Sequence, residues 1–549
     1  MLLHKSIKKL RMKEKIAELE SRREKALLCG GETAIDKRHA KGLLTARERI
    51  DILVDAGTFR ETDMFVHKDG DDAPGDGVVC GVAKIGGKNV CLFAQDFTVL
   101  GGSLGLRHAR KITKIQDLAA KMRCPIIGIN DSGGARIQDG VDSLCGYGEI
   151  FYRNTLLSGL VPQISVVMGP CAGGAAYSPA LTDFVFMVDG ISKMFLTGPT
   201  VVETVMGETI SQEDLGGARV HAEKAGTAHF FAKNEKECLA QVRRLLDYLP
   251  QSADVKPETK KSVDSPKNIS IESILPSDGK EPYDVRGIVK CLADEDSFFE
   301  VHELFAPNIV CGFIRMDGAT VGVVANQPNY LAGALDADAA DKASRFIRFC
   351  DSFNIPLLTL MDVPGCLPGV EGEHSGAVRH GAKLFYAYAE ATIPMVTVVL
   401  RKAYGGGYVS LGSRHIGADY VFCLPTAEIA VMGAEGAINI IYKELVEQAK
   451  EIKADFMSEY PSMVSEYKEF LKEEEERRQE EEQEAAEWAA FVQSVLGKLQ
   501  TNSEAVKQKG FIDSFENKSD ARQAVNDLVE AGQVERFKKG GAYFIAAKQ

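Results

Sequence analysis

None of the chain's twelve cysteines forms a CxxC pair, which removes the commonest sequence signature of a structural zinc site. Scattered through 549 residues without a secretory pattern, they read as reduced, mostly buried thiols. No uninterrupted apolar run reaches about 18 residues, so neither a membrane-crossing helix nor direct membrane insertion is expected. The basic opening "MLLHKSIKKLRMKEK" is not followed by an apolar segment and does not read as a signal peptide. A cytoplasmic or organelle-matrix location is the expectation. Positive charge is in short supply: 65 Lys and Arg against 78 Asp and Glu leave a net charge of −13. That balance disfavours nucleic acid and anionic membrane surfaces as partners. His221, His229 and His380 lack metal-ligand spacing, so no metal is expected, and they read as surface or structural histidines. The Gly-Gly of "DLGGARVHAEKAGTAHF" (214–230) lacks the following Lys-Ser/Thr of a Walker A loop.

What is present is ordinary globular material, 45% apolar and 26% charged, in a chain long enough for more than one domain. Residues 1–50 read as helical and charged, with Thr45 and Glu48 in capping-box spacing. From about residue 80, β-rich runs such as "NVCLFAQDF" alternate with helical stretches such as "HARKITKIQDLAAKM". This predicts an α/β fold with a mixed or parallel sheet. The polar, Ser/Pro/Lys-rich stretch 251–283 reads as a linker. Across it the sequence repeats. "CPIIGINDSGGARIQDG" parallels "IPLLTLMDVPGCLPGVE", and "VPQISVVMGPCAGGAAY" parallels "IPMVTVVLRKAYGGGYV". Asp131 and Asp362 stand 231 residues apart, and Gly174 and Gly406 stand 232 apart. Two copies of one fold follow, too large and too few for a solenoid.

Each copy ends two strand-like runs in small residues. The first has Gly133-Gly134-Ala135 and Gly173-Gly174-Ala175, and the second has Pro364-Gly365-Cys366 and Gly405-Gly406-Gly407. Glycine lets a ligand approach the backbone, and a strand-to-helix turn exposes the unpaired N–H groups of the helix's first turn. Two such loops side by side can aim two donors at one oxygen, an oxyanion hole worth about 3–4 kcal/mol per donor. The competing reading is tight turns with close helix–sheet packing. Asp131 and Asp362 follow apolar strands and read as loop braces or helix caps rather than bases. Cys171 and Cys366, assigned to the loops, read as small buried residues rather than nucleophiles. The run "KEEEERRQEEEQEAAEW" (472–488) reads as a solvated or partner-facing helix.

These residues resemble the biotin-dependent carboxyltransferases, a family that includes the propionyl-CoA carboxylase beta subunit, the methylmalonyl-CoA decarboxylase alpha subunit and the transcarboxylase central subunit. The matching stretches include "KGLLTARERI", "AQDFTVLGGS", "INDSGGARIQDGVDSLCGYGEIF", "GPCAGGAAYSPALTDF", "KASRFIRFCDSFNIPLL", "RKAYGGGY" and "EIAVMGAEGAINII", covering about residues 10–445. The resemblance implies tandem crotonase-like (ClpP/crotonase) domains related by internal duplication. Residues 1–255 would be the acyl-CoA domain and 256–283 the linker. Residues 284–549 would be the biotin domain, with a Glu-rich helical segment and a divergent tail from about 445. It implies a homohexamer, a trimer of dimers in which one subunit's N-domain faces its partner's C-domain. The amides around Gly134, Ala135, Gly174 and Ala175 would hold a coenzyme A thioester oxygen. Those around Gly365, Cys366, Gly406 and Gly407 would hold the ureido oxygen of biotin. Gly133, Gly173, Gly405, Tyr408 and Val409 would contact substrate. In the family scheme a biotin nitrogen takes the acyl α-proton, so no side-chain base is required.

Departures are local. The family's "PGFLPG" has Cys366 in place of Phe, and Val409 stands where some members carry an Asp that helps set acyl size. Residues 510–515, "GFIDSF", still resemble a segment near the family's end, whereas "ERFKKGGAYFIAAKQ" does not resemble its tail. No AMKM-type biotin-acceptor sequence or ATP-grasp signature is found. The expected partners are therefore acyl-CoA, a biotin carboxyl carrier protein, and a biotin carboxylase or membrane decarboxylase subunit. The expected reaction moves a carboxyl group between biotin and the α-carbon of propionyl-/methylmalonyl-CoA, in either direction. The alternatives are glutaconyl-CoA or a larger acyl-CoA, a biotin-independent crotonase-type hydratase or hydrolase, and a noncatalytic scaffold.

Overall fold

Thr45 caps the helix Ala46–Leu53 as its spacing predicts: its hydroxyl accepts the Glu48 N–H at 3.3 Å, and its own N–H donates to Glu48 Oε2 at 2.7 Å. In this computed structural model the described residues are 2–67, 75–263, 270–459, 461–500, 506–531, 533–539 and 542–547. Part of the expected linker, 264–269, lies outside them. The chain divides into two compact units, Met1–Ala434 and Glu435–Gln549.

The first unit holds both copies of the repeat, each on its own mixed sheet. The first sheet contains β1 (Arg60–Thr62), β2 (Val78–Ile85), β3 (Lys88–Gln95), β4 (Ile126–Ser132), β5 (Gln163–Ala172), β6 (Phe184–Val188), β7 (Lys193–Phe195) and β8 (Phe230–Ala232). Its order is β1-β2-β3-β4-β5-β6-β8, with β7 paired to β5. The second contains β9 (Phe299–Val301), β10 (Ile309–Met316), β11 (Ala319–Asn326), β12 (Leu357–Val363), β13 (Met395–Tyr404), β14 (Tyr420–Cys423) and β15 (Glu428–Ala430). Its order is β14-β13-β12-β11-β10-β9, with β15 paired to β13. In both, an antiparallel edge leads into parallel strands joined by helical crossovers, as the alternating pattern requires. The repeat extends to irregularities. The ladder shifts register between Asn130 and Ser132 in β4 and between Met361 and Val363 in β12. Isolated bridges join Leu104 to Ala135 and Leu335 to Cys366.

The seam between the two sheets is aromatic. Phe184 on β6 lies 4.6 Å, centroid to centroid, from Phe349, and Phe230 on β8 stacks at 4.8 Å on Phe299 of β9. Each such pair adds about 0.5–1.5 kcal/mol beyond its buried area. Lys342, buried beside this seam, donates through Nζ to the carbonyls of His302, Phe305, Ala306 and Ile309 at 2.7–3.3 Å. A buried ammonium is tolerated here because all its donors are used.

The second unit has its own core. The end of the long helix Pro461–Gln500 packs with helix Lys518–Glu530 through Val495, Leu499, Val525 and Leu528. The strands β16 (Val506–Lys507), β17 (Val534–Lys539) and β18 (Ala542–Ala547) form a small antiparallel sheet in the order β16-β18-β17. The Glu-rich run expected as a helix lies within Pro461–Gln500, and the "GFIDSF" segment covers the end of helix Gln508–Ile512 and the turn after it. Among the described residues, no helix is long and apolar enough to cross a membrane, and no His/Cys/Asp/Glu group could hold a metal.

Candidate active site

The C-terminal ends of β4 and β5 bring the first pair of small-residue loops together. Ser132 pairs with Cys171 across the ladder, and a methyl group on Gly134 would stand 2.8 Å from the Ala172 carbonyl oxygen. Gly134 also has φ +99°, so two independent constraints require glycine there. The backbone donors are not equivalent. Gly133 N–H goes to Gly101 O at 2.9 Å, Gly134 N–H to Ser132 Oγ at 3.2 Å, and Gly173 N–H to Phe195 O at 3.1 Å. Among the described residues, none accepts from the Ala135 amide. Gly174 and Ala175 open the helix Gly174–Ala180, whose first turn has no side-chain cap. Gly174 is a glycine for a packing reason: a Cβ there would lie 2.8 Å from the ring of Tyr147, a buried residue of helix Val141–Leu157. The Tyr147 hydroxyl is itself buried beside Ser132, and burial pushes its pKa up.

The second copy repeats the arrangement. Val363 on β12 pairs with Ala403 on β13, and a methyl group on Gly407 would come within 3.2 Å of the Gly365 Cα. Leu335 N–H reaches Gly365 O, and Leu367 N–H reaches Leu335 O, which leaves the Cys366 amide without an acceptor among the described residues. Gly405–Ser410 is already helical, and Gly406 and Gly407 stand in its uncapped first turn. Unlike Gly174, Gly406 faces open space: a methyl group there would meet nothing within 4 Å. Tyr408 is partly buried against the core and lies edge-on to His415 at 6.1 Å, while Val409 is half-buried one residue further on. Each copy thus gathers its own two loops. The two loop pairs sit on separate sheets.

Asp131 and Asp362 are braces, as expected. Asp131 is buried under two guanidiniums, with Arg49 at 2.8 Å and Arg38 on the same carboxylate oxygen. Arg49 also donates to Glu235 at 2.7 Å and to Met168 O on β5 at 2.6 Å. Asp362 accepts from Arg401 at 2.9 Å, from the Tyr283 hydroxyl at 3.0 Å and from Lys402 N–H at 3.1 Å. The sequence pattern singled out none of the three arginines, nor Glu235, nor Tyr283. Arg38, Arg49 and Glu235 lie far from Asp131 in the chain, and no local spacing couples them.

Two expectations are corrected. Cys171 lies within β5 rather than in a loop, where burial raises its pKa. Cys366, which follows β12 and bridges Leu335 through its backbone, is exposed rather than buried. Partial desolvation of its thiol, with the Glu373 charge nearby, still raises its pKa. The histidines are structural. His221 contacts Met194 O at 2.6 Å, His229 stacks on His302 at 4.0 Å, and His380 pairs with Asp341 at 2.7 Å. Amides left without an acceptor at a strand end have the chemistry to hold a carbonyl oxygen as it gains negative charge.

Residues 37–498 match the family described as carboxyl transferase domain. The chain is 56% identical over 441 residues to a propionyl-CoA carboxylase beta chain of Roseobacter denitrificans, covering 79% of this chain and 86% of the relative. It is 52% identical over 442 residues to a methylmalonyl-CoA decarboxylase subunit alpha of Veillonella parvula, covering 79% and 87%. Among solved structures, a transcarboxylase 12S hexamer with methylmalonyl-coenzyme A and methylmalonic acid bound superimposes with a TM-score of 0.77. The identity is 45%, covering 79% of this chain and 86% of that one.

Proposed function

The chain belongs to the carboxyl transferase family and is a biotin-dependent acyl-CoA carboxyltransferase subunit; on that premise we propose that its acyl partner is propionyl-/methylmalonyl-CoA. The names of its relatives at 52–56% identity, on both the carboxylase and decarboxylase sides, support this choice. Residues 1–255 are assigned to acyl-CoA, 256–283 to the linker and 284–549 to the biotin side. The working assembly is a homohexamer, like the transcarboxylase neighbour, served by a separate biotin carrier and a biotin carboxylase or decarboxylase subunit. The cytoplasm or an organelle matrix is the proposed location.

The amides of Ala135 and Gly174, with Ala175 beside them, bind the thioester oxygen. They stabilise the charge that develops there when the α-carbon loses its carboxyl group or its proton. Each donor contributes about 3–4 kcal/mol at the transition state. Gly134 shapes the turn instead, since its own N–H is engaged by Ser132. The second pair, Cys366 and Gly406, fits a ureido carbonyl. Its amides have no protein acceptor among the described residues, Gly406 faces open space, and Cys366 is exposed. Biotin, when bound, supplies or accepts the carboxyl group at its ureido nitrogen. Gly365 and Gly407 allow the loops to approach each other, and Tyr408 and Val409 flank the entry.

The observation that carries this reading is the duplicated pair of unengaged amides, one pair per substrate carbonyl. The test is transfer of label from carboxyl-labelled methylmalonyl-CoA to biotin by the purified chain, with malonyl- and glutaconyl-CoA as comparison donors. Label on biotin, greatest with methylmalonyl-CoA, is expected. No label on free biotin or on a biotinylated carrier protein would overturn the reading.

A further inference from the structure

The two copies hold their brace aspartates with cations from different places, and the difference lies at two equivalent strand positions. Gly169 on β5 and Arg401 on β13 occupy the same place in the repeat, 232 residues apart, as do Pro170 and Lys402. In the second copy Arg401 reaches Asp362 from the neighbouring strand. Its other end ties the carbonyls of Asp278 at 2.7 Å and Glu281 at 2.9 Å. In the first copy that position is empty of side chain: a Cβ on Gly169 would lie 2.0 Å from Asp131 Oδ1. The cations come instead from Arg49, on helix Ala46–Leu53, and from Arg38. The next position completes the contrast. Lys402 N–H satisfies Asp362 Oδ1, whereas Pro170 has no N–H, and Asp131 Oδ1 is buried without a partner among the described residues.

Arg49 grips both strands whose ends carry the first pair of amides, through Asp131 on β4 and Met168 O on β5. Arg401 does the same for the second pair, standing on β13 and holding Asp362 on β12. Both side chains are almost wholly buried. We infer that Arg49 and Arg401 are positioning residues that set the two loop pairs independently, Arg49 for the acyl-CoA carbonyl and Arg401 for the biotin carbonyl. The inference rests on the assignment of one loop pair to each substrate. Neither arginine touches a substrate. Each fixes the spacing of two strand ends, and a misplacement of about 1 Å in an oriented site can cost a hundredfold in rate.

The test pairs Arg49→Lys with Arg401→Lys in the full chain. Lysine keeps the charge but cannot bridge two strands with a planar fork. With assembly and thermal unfolding checked first, R49K should lower kcat/KM for methylmalonyl-CoA at least tenfold and weaken its calorimetric Kd, leaving the KM for free biotin unchanged. R401K should do the reverse. Equal shifts of both parameters in both variants, or no shift in either, overturn the inference. If R49K or R401K does not assemble, Arg38→Lys and Tyr283→Phe perturb the same carboxylates, and the same split is read from them. A wild-type chain that transfers no label sinks the proposed function itself. The calorimetric comparison of acyl-CoA binding by R49K and R401K still reads the positioning claim.

Discussion

Gly174→Ala isolates what one methyl group does at the first loop pair. The residue is helical, with φ in the range open to alanine, so the backbone itself does not resist the change. On its own, restricting the unfolded chain would stabilise the protein by about 0.4–1 kcal/mol. The structure opposes this: the new Cβ would meet three Tyr147 ring carbons at 2.8–3.0 Å, closer than real Cβ contacts come. Tyr147 cannot retreat freely, being buried and packed on Phe151 at 5.8 Å. Overpacking of this kind costs about 1–3 kcal/mol, so a net destabilisation of about 1–2 kcal/mol is expected. The helix start must shift, and with it the Gly174 donor. Losing one oxyanion donor lowers turnover about 10²–10³-fold. The assay is label transfer from methylmalonyl-CoA to biotin, alongside chemical unfolding. The double variant Gly174→Ala with Tyr147→Leu should recover part of the stability and rate, because the collision is removed. Wild-type turnover and stability in Gly174→Ala would refute the reasoning, since no relaxed position for the methyl group would then have been needed.

Cys366→Phe places an aromatic residue at an exposed position of the second loop pair. Stability should stay within about 0.5 kcal/mol, with a changed KM for biotin and an unchanged KM for methylmalonyl-CoA; a shift confined to the acyl-CoA would contradict the loop assignment. Lys342→Met removes a donor shared by four carbonyls and should cost about 3 kcal/mol or more in denaturant unfolding. Burial pushes the pKa of Asp183 up from 3.8 to about 7, against the Gln163 N–H and the Arg345 charge. The folded state then holds a proton that the unfolded chain releases, so this group makes stability fall as pH rises from about 4 to about 7. Asp183→Asn should flatten that part of the unfolding profile; an unchanged slope would show that Asp183 does not titrate there.

The duplication was legible because strand-end glycines and prolines recur at an offset of 231 or 232 residues, and the fold repeats even the register shifts in β4 and β12. The four small-residue loops were legible for the same reason. Which amides are unengaged was not. That depends on Ser132 folding back onto Gly134, and on carbonyls such as Gly101 and Phe195 that approach from other segments. Glycine at 174 was ambiguous between ligand contact and packing, and the Tyr147 ring shows that packing alone would demand it. The braces were half legible. The aspartates follow apolar strands in plain view, but Arg49 and Glu235 are separated by 186 residues and meet only through tertiary structure. Cys366 misled because small residues at strand ends are usually covered, and here the residue is exposed.

The exchange of Gly169 for Arg401, and of Pro170 for Lys402, bears on how this duplicated chain can be re-engineered. A graft of β13 into the first sheet would bring a third arginine to one aspartate and drive a side chain into Asp131. The reciprocal graft would strip Asp362 of both its guanidinium and its backbone donor. The halves have become non-interchangeable parts. Any shuffled version of this chain must move each aspartate's strand together with the segment that neutralises it, a distant helix in the first half and the neighbouring strand in the second.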